Sequence, residues 1–194
     1  MDLLLEQIRA CKLCEPDLAL GANPVVQAAP SAKLLIIGQA PGTKVHQSGI
    51  PWNDPSGNRL REWLQIDPER FYDPQHIAIM PMGFCYPGKG KSGDLPPRPE
   101  CAEKWHQKLL DELPNIELIL LIGQYAQKYY LKGSEWGERY QSLTDRVKHA
   151  NSCPSPYFVL PHPSPRNRHW MQKNAWFESE TLPLLRAQLN KLDI

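Results

Sequence analysis

The segment ELILLIG (117–123) places five consecutive Leu and Ile residues between a glutamate and a glycine. Three other short apolar runs also end in Gly or Pro: KLLIIG (33–38), HIAIMP (76–81) and YFVLP (157–161). A run that is apolar at every position, rather than at alternate positions, is typical of a strand covered on both faces. The four runs therefore predict four buried strands.

Segments with the apolar spacing of helices lie between and after these runs. SGNRLREWLQI (56–66) begins with Ser56 as a predicted cap, and its apolar side chains fall on one helix face. The other predicted helices are RPECAEKWHQKLLDELP (98–114), QYAQKYYLKG (124–133) and NAWFESETLPLLRAQLNKL (174–192). Alternating strands and helices predict a three-layer α/β/α sandwich with a central, mainly parallel, four-stranded sheet. A chain of this length fits a single domain over residues 1–194.

Composition excludes several classes of protein. No apolar stretch approaches the roughly 20 residues that cross a bilayer. The opening residues MDLLLEQIRACKLC (1–14) contain no basic leader typical of a secretory signal, so we expect a cytoplasmic protein without a membrane partner. With 22 basic and 21 acidic residues the net charge is only +1, so any basic surface must be local. Two segments qualify, GKGKSG (88–93) and RNRH (166–169).

The unusual loops all follow predicted strands. They are GQAPG (38–42), PMGFC (81–85), GQY (123–125) and PHPSPRN (161–167). In a parallel α/β sheet, ligands bind outside the carboxyl ends of the strands. The sequence therefore predicts one ligand site on one rim of the sheet.

The last of these loops is stiff. Proline has a fixed φ and no N–H, so Pro161, Pro163 and Pro165 favour a pre-shaped loop that points His162 in one direction. A structural histidine is the alternative. His46 and Asp54 could supply further acid–base chemistry on the same rim, or be solvated polar groups.

The first loop is glycine-rich but matches no nucleotide-binding fingerprint. Gly38 and Gly42 around Pro41 allow backbone N–H groups to approach a ligand, although a simple turn is the alternative. Trp52, between Pro51 and polar residues, is either core or a platform on which a base stacks.

The chain has five cysteines. A reducing compartment disfavours a disulfide framework, and an odd number of cysteines does not support one. Cys11 and Cys14 form a CxxC pair, and Cys85 and Cys101 flank a Pro- and Gly-rich loop. Four thiolates in two pairs can hold an iron–sulfur cluster or a tetrahedral zinc ion. Cys153 is more typical of a small buried apolar residue.

Together, GQAPGTKVHQSGIPW (38–52), the cysteine pairs and HPSPRN (162–167) resemble the uracil-DNA glycosylase superfamily. The layout is most similar to the iron–sulfur, family-4 type, whose first motif has the same glycine and proline spacing, with Trp52 where that family has Phe. The four cysteines match its cluster ligands, including the sixteen-residue step from Cys85 to Cys101. HPSPRN is closer to the family-5 and single-strand-selective branches.

The resemblance implies a DNA glycosylase of base excision repair that hydrolyses the N-glycosidic bond of uracil, or of a related deaminated base. It implies catalytic roles for His162, Gln39 and Asp54, with Asp54 orienting the water. Base-binding residues would be Gly38, Ala40, Trp52 and Asn167. Arg166 and Arg168 would contact DNA. Cys11, Cys14, Cys85 and Cys101 would hold a [4Fe–4S] cluster, with zinc as the alternative, in a protein that acts as a monomer on DNA.

The chain departs from the family pattern at several positions. Ala40 stands where one branch carries a water-activating Asp, Gln39 where family 4 has Glu, and Val45 where some members have a carboxylate. Pro81 replaces the Asn that reads the uracil edge. These departures favour an alternative hypothesis, a non-catalytic nucleic-acid or nucleobase-binding protein on the same scaffold. A third hypothesis makes the cysteine cluster a redox or structural device that serves a protein partner.

Overall fold

The four predicted strands form one sheet. The computed structural model describes residues 1–91, 93–192 and 194, so Ser92 of the basic segment 88–93 and Asp193 lie outside the described residues. The strands of this sheet are β1 (Leu34–Ile37), β2 (Ile77–Ile79), β5 (Leu118–Ile122) and β6 (Tyr157–Leu160). A separate antiparallel hairpin consists of β3 (Lys89–Gly90) and β4 (Gly93–Asp94).

The strand order is β2-β1-β5-β6, and all three neighbouring pairs are parallel. In the register, Leu34 lies opposite both Ile77 and Leu118, and Ile119 lies opposite Tyr157. Nearly every strand residue is buried, and successive strand side chains point to opposite faces, so both faces are covered. The prediction of a three-layer α/β/α sandwich with a parallel four-stranded sheet is confirmed.

The helices occupy the predicted segments and several loops besides. In chain order they are α1 (Asp2–Arg9), α2 (Thr43–Ser48), α3 (Pro55–Leu64), α4 (Pro68–Phe71), α5 (Pro99–Cys101), α6 (Gln107–Asp111), α7 (Gln124–Tyr130), α8 (Glu135–Arg139), α9 (Leu143–Lys148), α10 (Arg168–Lys173) and α11 (Leu182–Leu189). Two π-helical segments, Ala102–His106 and Phe177–Thr181, precede α6 and α11. In the part of the chain that the structure describes, no helix has the length and apolar character needed to span a bilayer.

The predicted cap of α3 is wrong by two residues. Asp54, not Ser56, is the N-cap, and its Oδ1 accepts a hydrogen bond from Gly57 N at 2.8 Å. Pro55 occupies the first helical position, where its fixed φ suits the helix and its missing N–H costs nothing. Ser56 lies inside the helix and is buried. Asp54 therefore begins α3 at the rim of the sheet.

A segment that the sequence did not single out covers one edge of the sheet. Gln27 exchanges two backbone hydrogen bonds with Ile79 of β2, at 3.1 and 2.7 Å. Its side-chain amide also donates to the backbone oxygens of Ile77 and Phe71. An edge strand left open exposes unpaired backbone groups, so this bridge protects β2 along its outer side.

Candidate active site

Loops at the carboxyl ends of the strands surround a cavity of about 580 Å³. The loop after β1 contributes residues 38–42, the end of β2 contributes Pro81, and the loop after β6 contributes His162 and Asn167. The β3–β4 hairpin and the start of α7 complete the wall. The structure therefore brings together all seven of the predicted catalytic and base-binding residues: Gly38, Gln39, Ala40, Trp52, Asp54, His162 and Asn167.

Trp52 is held in an unusual backbone conformation. Its φ is 56°, in the left-handed region that non-glycine residues rarely adopt, at a typical cost of about 1–3 kcal/mol. A β-carbon on Gly57 would lie 1.7 Å from Trp52 O, so only glycine fits there. A β-carbon on Gly38 would lie 2.7 Å from the indole Cζ2. The two glycines allow the indole to pack into the wall of the cavity.

His162 lies beside this indole. The two ring centroids are 5.6 Å apart and the ring planes are inclined by 36°. The His162 backbone oxygen accepts a hydrogen bond from Asn167 Nδ2 at 2.8 Å, and Ser164 Oγ accepts one from Arg166 N at 3.2 Å. The proline-rich loop is therefore closed on itself, and one hydrogen of the Asn167 amide is engaged within it.

The electrostatic surroundings of His162 keep the imidazole neutral. Burial lowers the pKa of His162, and the negative charges of Asp54 and Asp94 oppose this effect only in part. The net shift is downward from an ordinary value of 6.5. A neutral imidazole carries one N–H and one acceptor nitrogen, so at pH 7 it can donate one hydrogen bond into the cavity.

Two carboxylates line the cavity, and the sequence pointed to only one of them. Asp54 lies at the start of α3, where its Oδ1 caps the helix. Asp94 lies at the end of the β3–β4 hairpin. It directly follows the segment 88–93, which the sequence indicated as a candidate basic surface because of its lysines. The signal that could have found Asp94 is its place in the long loop between the end of β2 and Cys101.

The loops after β1 and β2 are joined by their backbones. Met82 N donates to Gly38 O at 2.9 Å, and Gly83 N donates to Gln39 O at 3.0 Å. His106 Nε2 lies 3.1 Å from Pro81 O, and its Nδ1 lies 2.6 Å from the Tyr130 hydroxyl. Burial lowers the pKa of His106 to about 4, so the ring is neutral and donates to the Pro81 carbonyl. The Pro81 backbone is thus held in place by His106, although proline itself has no polar side chain.

The two predicted DNA-contacting arginines lie at different places. Arg166 lines the cavity, and its Nη1 would be 2.5 Å from a β-carbon on Gly93 of the hairpin. Arg168 begins α10 and lines a separate surface groove with Arg59 and Arg186. His46, a further candidate for acid–base chemistry, lies near Tyr86 (ring centroids 6.1 Å apart) and does not line the cavity.

The four predicted metal ligands face a second, small cavity of about 20 Å³. It is lined by Cys11, Cys14, Cys85 and Cys101 together with Leu18, Ala22, Pro24, Phe84, Arg98 and Trp105. None of the cysteines forms a disulfide. Within residues 1–91, 93–192 and 194, no group of three or more Cys, His, Asp or Glu side chains has the arrangement that holds a metal ion. The predicted metal site is therefore supported by the position of all four cysteines around one cavity.

That chemistry fits a soft metal group. Burial raises the pKa of Cys85 to about 11 and that of Cys101 to about 12, so these thiols are protonated without a nearby cation. The Phe84 N–H points at Cys101 Sγ over 3.5 Å, and the guanidinium of Arg98 lines the same cavity. Hydrogen-bond donors and positive charge close to sulfur stabilise metal-bound thiolates. The donor set and its surroundings are thus compatible with a bound cluster.

Among known protein families, the one described as the uracil DNA glycosylase superfamily matches residues 25–186 of the chain. The match includes Cys85, Cys101 and every residue named above in the wall of the larger cavity, whereas Cys11 and Cys14 precede it. The strand order, the rim of loops and this match agree, and the chain belongs to the uracil DNA glycosylase superfamily.

Proposed function

We propose that this protein is a DNA glycosylase that hydrolyses the N-glycosidic bond of uracil, or of a related deaminated base, and leaves an abasic site. The observation that carries the proposal is the pairing of His162 with Trp52, at 5.6 Å, in the wall of a cavity at the carboxyl ends of the strands. An aromatic ring beside a neutral hydrogen-bond donor suits a planar base that leaves with negative charge. Membership of the superfamily supports DNA as the partner.

The base must first leave the duplex stack, which costs a few kcal/mol. In the cavity, the indole of Trp52 would stack on the extruded base, an interaction worth about 1–3 kcal/mol. Gly38 has no side chain to keep the indole of Trp52 away, and Ala40 carries only a methyl group, so a base stacked on the indole can approach the backbone of the first loop closely. Arg166 in the cavity wall and Arg168 in the separate surface groove would contact the phosphates.

The reaction breaks the C1′–N bond, and both electrons of that bond go to the base. A neutral His162 would donate its N–H to the oxygen on which this charge develops, while backbone N–H groups near Gln39 act in the same way. Loss of one such donor typically slows catalysis by about 10²–10³-fold. The sugar becomes electron-poor at C1′ and is attacked by water.

We also propose that Cys11, Cys14, Cys85 and Cys101 hold an iron–sulfur cluster, with zinc as the alternative. Such a group, when bound, would join the segment after α1 to the two ends of the loop that carries the hairpin. It would thereby stabilise the wall of the larger cavity, because Cys85 closely follows Met82 and Gly83, whose backbones hydrogen bond to the first loop.

The test is a cleavage assay on labelled single- and double-stranded oligonucleotides that contain one uracil, hypoxanthine or xanthine, with alkali to open abasic sites. His162→Ala is compared with the wild type. We expect the wild type to release a base and His162→Ala to lose at least about 100-fold of the rate while still binding DNA.

Binding of DNA without release of any base would favour the alternative, a non-catalytic nucleic-acid or nucleobase-binding protein. The observation on its side is that Ala40 and Pro81 bring no polar side chain to the cavity. If changes at Trp52 and His162 alter neither activity nor binding while changes at Cys11 or Cys14 do, the third hypothesis, a device serving a protein partner, is favoured.

A further inference from the structure

The β3–β4 hairpin delivers one carboxylate to the mouth of the cavity. Lys89 pairs with Asp94, Gly90 pairs with Gly93, and Leu95 N donates to Gly88 O at 2.9 Å, so the hairpin has a defined register. Its last residue, Asp94, lines the cavity.

Two neighbouring loops lie against this end of the hairpin. Asp94 Oδ2 lies 3.9 Å from the place that a β-carbon on Gly42 would occupy, so the carboxylate faces the loop after β1. On the other side, the guanidinium of Arg166 packs against Gly93. The hairpin is therefore confined between the first loop and the proline-rich loop.

Asp94 differs from Asp54 in its hydrogen bonding. Oδ1 of Asp54 accepts the capping bond of α3, which restricts how that carboxylate can turn. Among the residues that the structure describes, none hydrogen bonds to the carboxylate of Asp94 or forms an ion pair with it. Asp94 can therefore accept a hydrogen bond from a water molecule without losing a structural one.

The rest of the wall offers few competing proton acceptors. The titratable and charged side chains that line the cavity are Asp54, Asp94, Tyr125, His162 and Arg166. Arginine has no acceptor atom, and tyrosine offers only a hydroxyl. If His162 donates to the leaving base and Asp54 caps α3, Asp94 is the group with the greatest freedom to take a proton.

We propose that Asp94, in place of the Asp54 that the family resemblance implies, is the catalytic carboxylate that orients and deprotonates the attacking water, an inference that rests on the proposed glycosylase function. The water oxygen forms a bond to C1′ as the C1′–N bond breaks, and Asp94 takes the proton that the water releases. The base departs with the electron pair and is then protonated from solvent. General-base assistance of this kind contributes about 10²–10⁴-fold to a rate.

The experiment compares Asp94→Asn with Asp2→Asn under single-turnover conditions and saturating enzyme. Asp2 begins α1, is exposed and does not line the cavity, so its variant controls for the loss of one negative charge away from the site. We expect Asp94→Asn to excise at least about 100-fold more slowly, and Asp2→Asn to remain within about threefold of the wild type. DNA affinity, measured on a duplex with an abasic site, should change by less than about threefold in both variants.

A second readout does not depend on activity. The charge of Asp94 raises the pKa of His162, as does that of Asp54, so the His162 ring resonances of Asp94→Asn should titrate at lower pH than those of the wild type. Excision by Asp94→Asn within threefold of the wild type, or an unchanged His162 titration, would overturn the role of Asp94 alone. A wild type that releases none of the tested bases would overturn the proposed function, and the role of Asp94 with it.

Discussion

Asn167 donates a hydrogen bond from Nδ2 to the backbone oxygen of His162 over 2.8 Å, so the last residue of the HPSPRN loop holds the first. The bond spans a loop whose prolines already restrict its backbone. Asn167 thereby positions His162 whether or not it also contacts the base.

Replacing Asn167 with Asp tests this positioning, because a carboxylate has nearly the same shape but cannot donate. We expect a loss of about 1 kcal/mol in the free energy of unfolding and a clear fall in excision rate. Chemical denaturation and single-turnover kinetics measure the two effects. A variant with wild-type stability and a weaker affinity for substrate alone would show that Asn167 contacts the base and does not hold the loop.

Trp52 depends on two glycines in different ways. In Gly57→Ala the new β-carbon would lie 1.7 Å from the backbone oxygen of Trp52, which cannot move without shifting the turn that leads into α3, so we expect a severe loss of stability or no folding. In Gly38→Ala the clash, at 2.7 Å, is with the far end of the indole. That variant should fold, with altered tryptophan fluorescence and an excision rate at least about tenfold lower.

Gly133→Ala is the matched control for these two changes. Gly133 has a φ of +73° and nothing within 4 Å of its would-be β-carbon, so only backbone strain of about 1 kcal/mol is expected. If Gly38→Ala has the fluorescence and rate of Gly133→Ala, the indole does not pack on residue 38.

Asp54 caps α3 and also places a negative charge near His162, and two variants separate these two effects. Asn is as good an N-cap as Asp, so Asp54→Asn should keep the stability of α3 while removing the charge. We expect the pKa of His162 to fall further in this variant, because Asp54 raises it. Asp54→Ala should in addition lose about 1 kcal/mol in the free energy of unfolding, measured by denaturation. Equal losses of stability in both variants would contradict the capping assignment.

His106 makes stability depend on pH. Burial lowers its pKa from 6.5 to about 4, so the unfolded chain binds a proton that the folded protein resists. The contribution is fully present above about pH 6.5 and is lost as the pH falls through the folded value. Its size is about 3 kcal/mol, since each tenfold change in proton affinity is worth 1.36 kcal/mol.

The measurement is denaturant unfolding of the wild type and of His106→Gln at pH 7 and at pH 4.5. Glutamine retains an N–H for the Pro81 carbonyl but does not titrate, so the wild type should lose more stability than the variant over this interval. Tyr130→Phe, which keeps the imidazole, should retain the pH dependence. Parallel losses in the wild type and His106→Gln would show that other groups account for it.

The cysteine cavity predicts a metal content. Protein purified without oxygen should be brown and contain iron and sulfide if the proposed cluster is present, and should lose both in Cys85→Ser and Cys101→Ser. Cys153→Ser is the control, because Cys153 is half-buried outside this cavity. A colourless wild type with stoichiometric zinc would support the alternative, and four free thiols without metal would contradict both.

The sequence determined the layered architecture because its signals are local. Runs such as residues 118–122, apolar at every position, can be satisfied only where both faces are covered, and Gly or Pro ends each run. The same reasoning placed the unusual loops on one rim, and the match over residues 25–186 confirms the superfamily that the sequence resembled. The subfamily and the motifs read in residues 38–52 and 162–167 stay predictions. The cap of α3 was misplaced because Asp54 and Ser56 are both good caps, and only Pro55 between them decides.

Tertiary structure decided which side chains meet. That Asp94 faces the cavity follows from the path of the loop between Cys85 and Cys101, and nothing in the local sequence specifies where such a loop returns. That His106 supports Pro81 requires a buried pair 25 residues apart in the chain. Local patterns encode strands and helices, because these satisfy their own backbone hydrogen bonds. The partners of a polar side chain depend on long-range packing, and the geometry of the cavity was therefore known only from the fold.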